Sequence, residues 1–141
     1  LFFCLNFPLF VIIYFLVVLT LANSGLPRPI HCHDGKVDMI DATGLPMGLF
    51  GNASYDELQL QGQPGDFFIF FTDGVLDATS AEGEMFGRQN LEAVIAAHQH
   101  DCAEDMVQAI FETVSQHAFG VEAFDDQTIV VLKVKGNPAE S

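Results

Sequence analysis

The chain has 141 residues, half of them hydrophobic, and sets 19 acidic against 5 basic side chains for a formal charge of −14. That length suits one domain with a real core rather than two, and so acidic a chain repels phosphate backbones, which excludes nucleic-acid binding as an expectation. Its three cysteines, Cys4, Cys32 and Cys102, are widely spaced and form no C-x-x-C pair, which argues against a disulfide framework or a zinc ribbon and for reduced thiols in a cytoplasmic setting.

Residues 1–22, LFFCLNFPLFVIIYFLVVLTLA, carry no charge. The stretch is long and apolar enough for a membrane-spanning helix, which would attach the chain to the cytoplasmic face of a membrane. No basic residue flanks it, the first charge being Arg28, so neither a basic leader nor a positive-inside bias supports that reading. Its aromatic and β-branched content favours the competing reading, a buried pair of strands, although no turn signal separates them. The sequence opens on Leu1 rather than Met and is expected to be a fragment.

NSGLPRP (residues 23–29) is loop by composition. HDGK (33–36) places Asp-Gly between short apolar runs, which predicts a hairpin with strands near 29–32 and 37–40. GLPMGLFG (44–51) is a glycine-rich loop. YDELQLQ (55–61) alternates, with Tyr55, Glu57, Gln59 and Gln61 on one side and Leu58 and Leu60 on the other, and reads as a half-exposed strand. QPGD (63–66) then turns the chain into FFIFF (67–71), whose lack of alternation predicts burial on both faces.

After that the period changes. Leu91, Val94 and Ile95 recur at helical spacing, and residues 101–117 align Met106, Val107, Ile110, Phe111 and Val114 on one helical face. Asp101 with Glu104 three residues on reads as a capping box. QTIVVLKVK (127–135) closes as a strand, and 136–141 is a tail. Several strands, two helices and a last strand make an α+β domain, with helices packed on mainly antiparallel sheet.

Two acidic sites abut the most apolar strands: Asp73 follows residues 67–71, and Asp125 with Asp126 precedes the last strand. A carboxylate at the edge of a core is costly unless paired, hydrogen-bonded or bound to a cation. Gly74 removes a side chain beside Asp73 and permits close approach. In extended backbone only one of Asp125 and Asp126 would face the same side as Asp73. Hard oxygen donors of this kind suit Mg²⁺ or Mn²⁺ better than Zn²⁺. The alternative is that Asp73 opens a turn and the other two are loop acids. HCHD (31–34) lacks the spacing of a zinc site and reads as a solvated hairpin tip, and His98, His100 and His117 read as ordinary surface or boundary residues with no obvious partner.

Five motifs then occur in order: LTLANSGLPRP, GLPMGL, PGDFFIFFTDGVLDA, GEMFG and DDQTIVVLKV. Together, over residues 19–135, they resemble the carboxy-terminal half of PPM-type metal-dependent serine phosphatases of the SpoIIE/RsbU branch. The resemblance implies a partial αββα sandwich, with Asp73 and Asp125 as ligands of a two-metal Mn²⁺ or Mg²⁺ site. Asp126 would be a supporting or alternative ligand, and Gly74 would allow the close approach. It implies hydrolysis of a phosphoserine or phosphothreonine by metal-activated water, with no catalytic side chain beyond the ligands. The substrate would be a bacterial signalling phosphoprotein such as an anti-sigma-factor antagonist.

The departures from the pattern are specific. Leu26 stands where the family has His, Asp77 stands where it has Glu, and its earlier G-D and D-G metal motifs have no counterpart here. The two-metal site is therefore expected to be incomplete, and this chain inactive alone. Residues 1–18 stand where the family has two strands joined by a polar turn, which they lack; a frameshift or misplaced start would produce such a segment. The alternative function is a non-catalytic interaction module, tethered to a membrane through residues 1–22. A haloacid-dehalogenase reading fails, because its nucleophilic Asp would fall at Phe71.

Overall fold

A computed structural model of the chain describes residues 11–15, 18–49, 51–52, 54–122 and 125–136. The elements are β1 (Val11–Phe15), β2 (Val18–Ala22), β3 (Ile30–His33), β4 (Lys36–Met39), β5 (Leu58–Gln61), β6 (Phe67–Phe71), α1 (Asp73–Leu76), α2 (Gly87–Ala97), α3 (Ala103–His117) and β7 (Ile129–Lys133). They form two antiparallel sheets, one of three strands in the order β1-β2-β5 and one of four in the order β4-β3-β6-β7. Helices α2 and α3 cover the outer face of the four-stranded sheet, so the layers run helix, sheet, sheet.

The central strand β6 explains this layering. All five of its residues are buried. Phe67, Ile69 and Phe71 pack towards the helices with Leu91, Ile95, Met106, Ile110 and Val114. Phe68 and Phe70 point the other way, against Leu19 and Leu21 of β2. A strand buried on both faces has no polar side to show, hence the unbroken FFIFF run.

The apolar leader resolves, where described, into strands. Val11–Phe15 pairs antiparallel with Val18–Ala22, Phe15 opposite Val18, so these residues are not a membrane-spanning helix. No helix among the described residues is long and apolar enough to cross a membrane. Residues 1–10 lie outside the described residues, as does the tail after Gly136.

The Asp-Gly hairpin forms between β3 and β4, one residue later at its start and one earlier at its end than predicted. Asp34 and Gly35 both take positive φ, 46° and 77°, the conformation that a type I′ turn requires. The strand predicted over 55–61 shortens to Leu58–Gln61, because only Leu58 and Leu60 find a core to enter. A third helix, α1, is a single turn that the sequence pattern gave no length to reveal. At α3 the capping box is replaced: Cys102 is the N-cap, and its Sγ accepts from the Asp105 amide at 3.4 Å. The helix starts two residues after Asp101, so Asp101 lies outside capping position.

Candidate functional site

The antiparallel pairings bring one set of chain ends together. β6 finishes beside the start of β7, with Phe71 opposite Ile129, and beside the start of β3. The described parts of the loops at residues 23–29, 40–57, 72–86 and 118–128 therefore gather at one end of the molecule. Asp73, Asp125 and Asp126 all sit there, in two loops that touch.

The contact is made by Thr72 and Gly74. The Thr72 hydroxyl donates to the Asp126 carbonyl at 3.0 Å and accepts from the Thr128 amide at 3.0 Å, while the Thr72 amide donates to the Thr128 carbonyl at 3.1 Å. Gly74 is buried. A Cβ there would stand 2.5 Å from the Asp126 carbonyl oxygen and 3.3 Å from that of Asp125, so the missing side chain is what lets the two acidic loops close. Asp125 adds a local brace, its Oδ1 accepting from the Asp126 amide at 2.8 Å.

The carboxylates themselves are exposed. Desolvation predicts an expensive acid at the end of β6, but Asp73 opens α1 with its side chain in water. The buried acid lies at the other end of that strand. Asp66 is 2 % exposed, and its carboxylate accepts from the Gln63 amide at 2.9 Å and is held by His31 Nε2 at 2.9 Å and His33 Nδ1 at 2.5 Å. Burial pushes the Asp66 carboxyl up, but the Gln63 amide, both imidazoles and the charge of His31 outweigh it and hold it below 3.8. The hydrogen bond to Asp66 raises His33 above 6.5 against a smaller opposing effect of burial, with the charges of Asp66 and Asp34 adding to the rise.

Of HCHD only Asp34 is a solvated hairpin tip; the two histidines are engaged. His31 and His33 lie on one face of β3, around a carboxylate that local sequence could not link to them across more than thirty residues. His98 and His117 also have partners, Asp101 Oδ2 at 2.6 Å and the Glu84 carbonyl at 2.8 Å. Sequence reasoning also missed Asn23, buried at the same end as Asp73. Its Nδ2 donates to the Leu26 and Ala42 carbonyls at 2.9 and 2.8 Å, and its Oδ1 accepts from the Gly25 and Leu26 amides at 3.1 and 3.0 Å. One side chain thus fixes two of the four loops there; the signal was a lone Asn directly after an alternating apolar strand.

Carboxylate oxygens are the right kind of donor for a hard divalent ion. Their number is short: among the described residues no group of three or more His, Cys, Asp or Glu is placed to hold a metal. Beside the junction opens a cavity of about 330 Å³, whose lining includes Gly74, Asp77, Ser115, Phe119, Asp125 and Gln127.

The family described as Stage II sporulation protein E (SpoIIE) matches residues 9–135, nearly the whole chain. The chain belongs to the SpoIIE family. It is a PPM-type phosphatase domain of the SpoIIE/RsbU branch, present in part. Protein IcfG of Synechocystis sp. is 30% identical over 99 residues, which cover 70% of this chain and 16% of IcfG. The phosphoserine phosphatase RsbU of Bacillus subtilis is 27% identical over 96 residues, covering 68% of this chain and 28% of RsbU. Among solved structures, the SiaA-PP2C domain of Pseudomonas aeruginosa superposes with a TM-score of 0.73 at 21% identity, over 84% of this chain and 47% of that one. This SpoIIE-family chain thus spans less than a third of those curated relatives and about half of that solved domain. Its antiparallel sheets and flanking helices are those of the PP2C-type fold.

Proposed function

We propose that the chain supplies the carboxy-terminal part, residues 19–135, of a protein serine/threonine phosphatase site dependent on Mn²⁺ or Mg²⁺. Asp73 and Asp125 are its contribution to the metal ligands, Asp126 is the supporting or alternative ligand, and Gly74 lets the two loops approach. The observation that carries this reading is the Thr72–Gly74 junction, which brings the T-D-G and D-D loops of a SpoIIE-family chain into direct contact. The substrate class is a phosphoserine or phosphothreonine on a bacterial signalling protein of the anti-sigma-factor-antagonist kind, met in the cytoplasm. A non-catalytic interaction module is the second reading, favoured by the shortage of ligating side chains among the described residues.

The test is Mn²⁺-dependent hydrolysis of an aryl phosphate, run beside Mn²⁺-induced broadening of backbone amide signals. The proposal expects broadening centred on residues 72–74 and 125–128, abolished in Asp73→Asn, with no turnover by this chain alone. Turnover that survives Asp73→Asn, or broadening centred elsewhere, would remove these ligand assignments. Absence of any Mn²⁺ effect would favour the second reading.

A further inference from the structure

The described residues include six exposed large hydrophobic side chains: Leu45, Met47, Leu49, Met85, Phe119 and Val121. Chance would scatter them over the surface. All six instead fall in the loops that the strand pairings collect at one end, three in residues 40–57, one in 72–86 and two in 118–128. Phe119 is 84 % exposed and Leu49 64 %.

The charges at this end are one-sided. Apart from the proposed metal ligands, Asp56, Glu57, Asp77, Glu82, Glu84 and Glu122 are exposed there. The two arginines nearby are already engaged, Arg28 with Asp41 at 3.3 Å and Arg88 with Glu92. Lys36 and Lys133 lie towards the opposite end, at the β3–β4 hairpin and the finish of β7.

We propose that this loop end is a docking surface for a protein segment that carries Lys or Arg among apolar side chains. Apolar side chains that stand in water gain by being covered, and the acidic rim selects what can cover them. A second copy of a chain with formal charge −14 would bring acid against acid. An anionic lipid surface or a nucleic acid would be repelled in the same way. A basic and apolar segment satisfies both features, with charge steering the encounter and the apolar contacts holding the complex.

The inference does not depend on turnover. Its test is fluorescence anisotropy without divalent metal, using a labelled peptide of four Lys, two Leu and one Phe. Two comparison peptides replace the Lys by Glu, or the Leu and Phe by Ser. The expected result is binding of the first peptide that weakens with added salt, and that falls roughly tenfold or more with either comparison peptide. The double variant Met47→Ser, Phe119→Ser should weaken it by a similar factor while melting at the wild-type temperature, since both side chains are exposed. Equal binding of the Ser peptide, or an unchanged Kd in the double variant, would overturn the proposal by showing charge attraction alone. Binding of phosphatidylglycerol vesicles, or dimerisation, would overturn it in favour of another occupant. Because no metal and no phosphoryl group is present, failure here leaves the phosphatase reading standing, and the reverse also holds.

Discussion

Gly74 and Asp126 meet at a distance that leaves no room for a methyl group: an added Cβ would lie 2.5 Å from the Asp126 carbonyl oxygen. The obstacle is backbone, which cannot rotate away as a flexible side chain could. Gly74→Ala should therefore push the Asp125–Asp126 loop off its seat and destabilise the chain by about 1–3 kcal/mol. Urea denaturation gives the loss, and amide shifts at Asp126 and Thr128 locate it. An Ala variant as stable as wild type with unmoved shifts would mean the loops are not in contact.

Asn23 makes four hydrogen bonds while almost wholly buried, to groups in both the 23–29 and 40–49 loops. Asn23→Ala leaves a buried carbonyl at Ala42, a part-buried one at Leu26 and two amides seeking partners, at about 2–3 kcal/mol in total. Asn23→Asp should also destabilise, because a carboxylate oxygen would then face the Leu26 and Ala42 carbonyls. Thermal melts of the two variants decide this; an Asp variant indistinguishable from wild type would show that the carbonyl contacts are not made.

Stability should carry a pH dependence from the His31–Asp66–His33 cluster. His33 is raised above 6.5, so its contribution is full below that pH and is lost as pH rises through the raised value. Asp66 is lowered below 3.8, so its contribution is present above that pH and is lost as pH falls through the lowered value. Between those limits the cluster holds best. Every acidic chain also gains stability from lower pH as self-repulsion relaxes, so the informative quantity is a difference. His33→Gln should reduce the melting-temperature gap between pH 5.5 and pH 8.5 relative to wild type, and an undiminished gap would discharge His33 from the role.

The two described thiols should react very differently. Cys32 is 2 % exposed on β3, and burial, together with the charge of Asp66, pushes its thiol above 9.0. Cys102 is exposed at the start of α3. In a Cys4→Ser background, iodoacetamide should label Cys102 in the native state and reach Cys32 only in denaturant. Comparable native rates would be evidence that β3 opens readily.

These contrasts also show what local sequence could and could not carry. The FFIFF run, the Asp-Gly turn and the α3 face of Met106, Ile110 and Val114 were legible, because each depends on residues within a few positions of one another. The junction at Thr72, Gly74 and Asp126 was legible only as ordered motifs, since nothing in either loop states that the other lies against it. The role of Asp66 was not legible for the same reason: QPGD does turn the chain, the Asp66 amide donating to the Gln63 carbonyl at 3.0 Å, but its two imidazoles stand 33 and 35 positions away. The apolar leader lacked a turn signal, yet β1 and β2 pair, because β2 has Leu58 and Leu60 of β5 to pack beside and a core to line.

The burial of Phe67–Phe71 on both faces has a further consequence. This strand is a party wall: Phe67, Ile69 and Phe71 belong to the core under the helices, while Phe68 and Phe70 belong to the core between the sheets. Neither core can melt and leave the other intact, because each would lose one side of the same strand. Amide protons along Phe67–Phe71 should be the last to exchange with deuterium, and do so only when the whole chain opens. Damage in either layer, from whatever source, is therefore felt at Thr72 and the acidic loops that follow it.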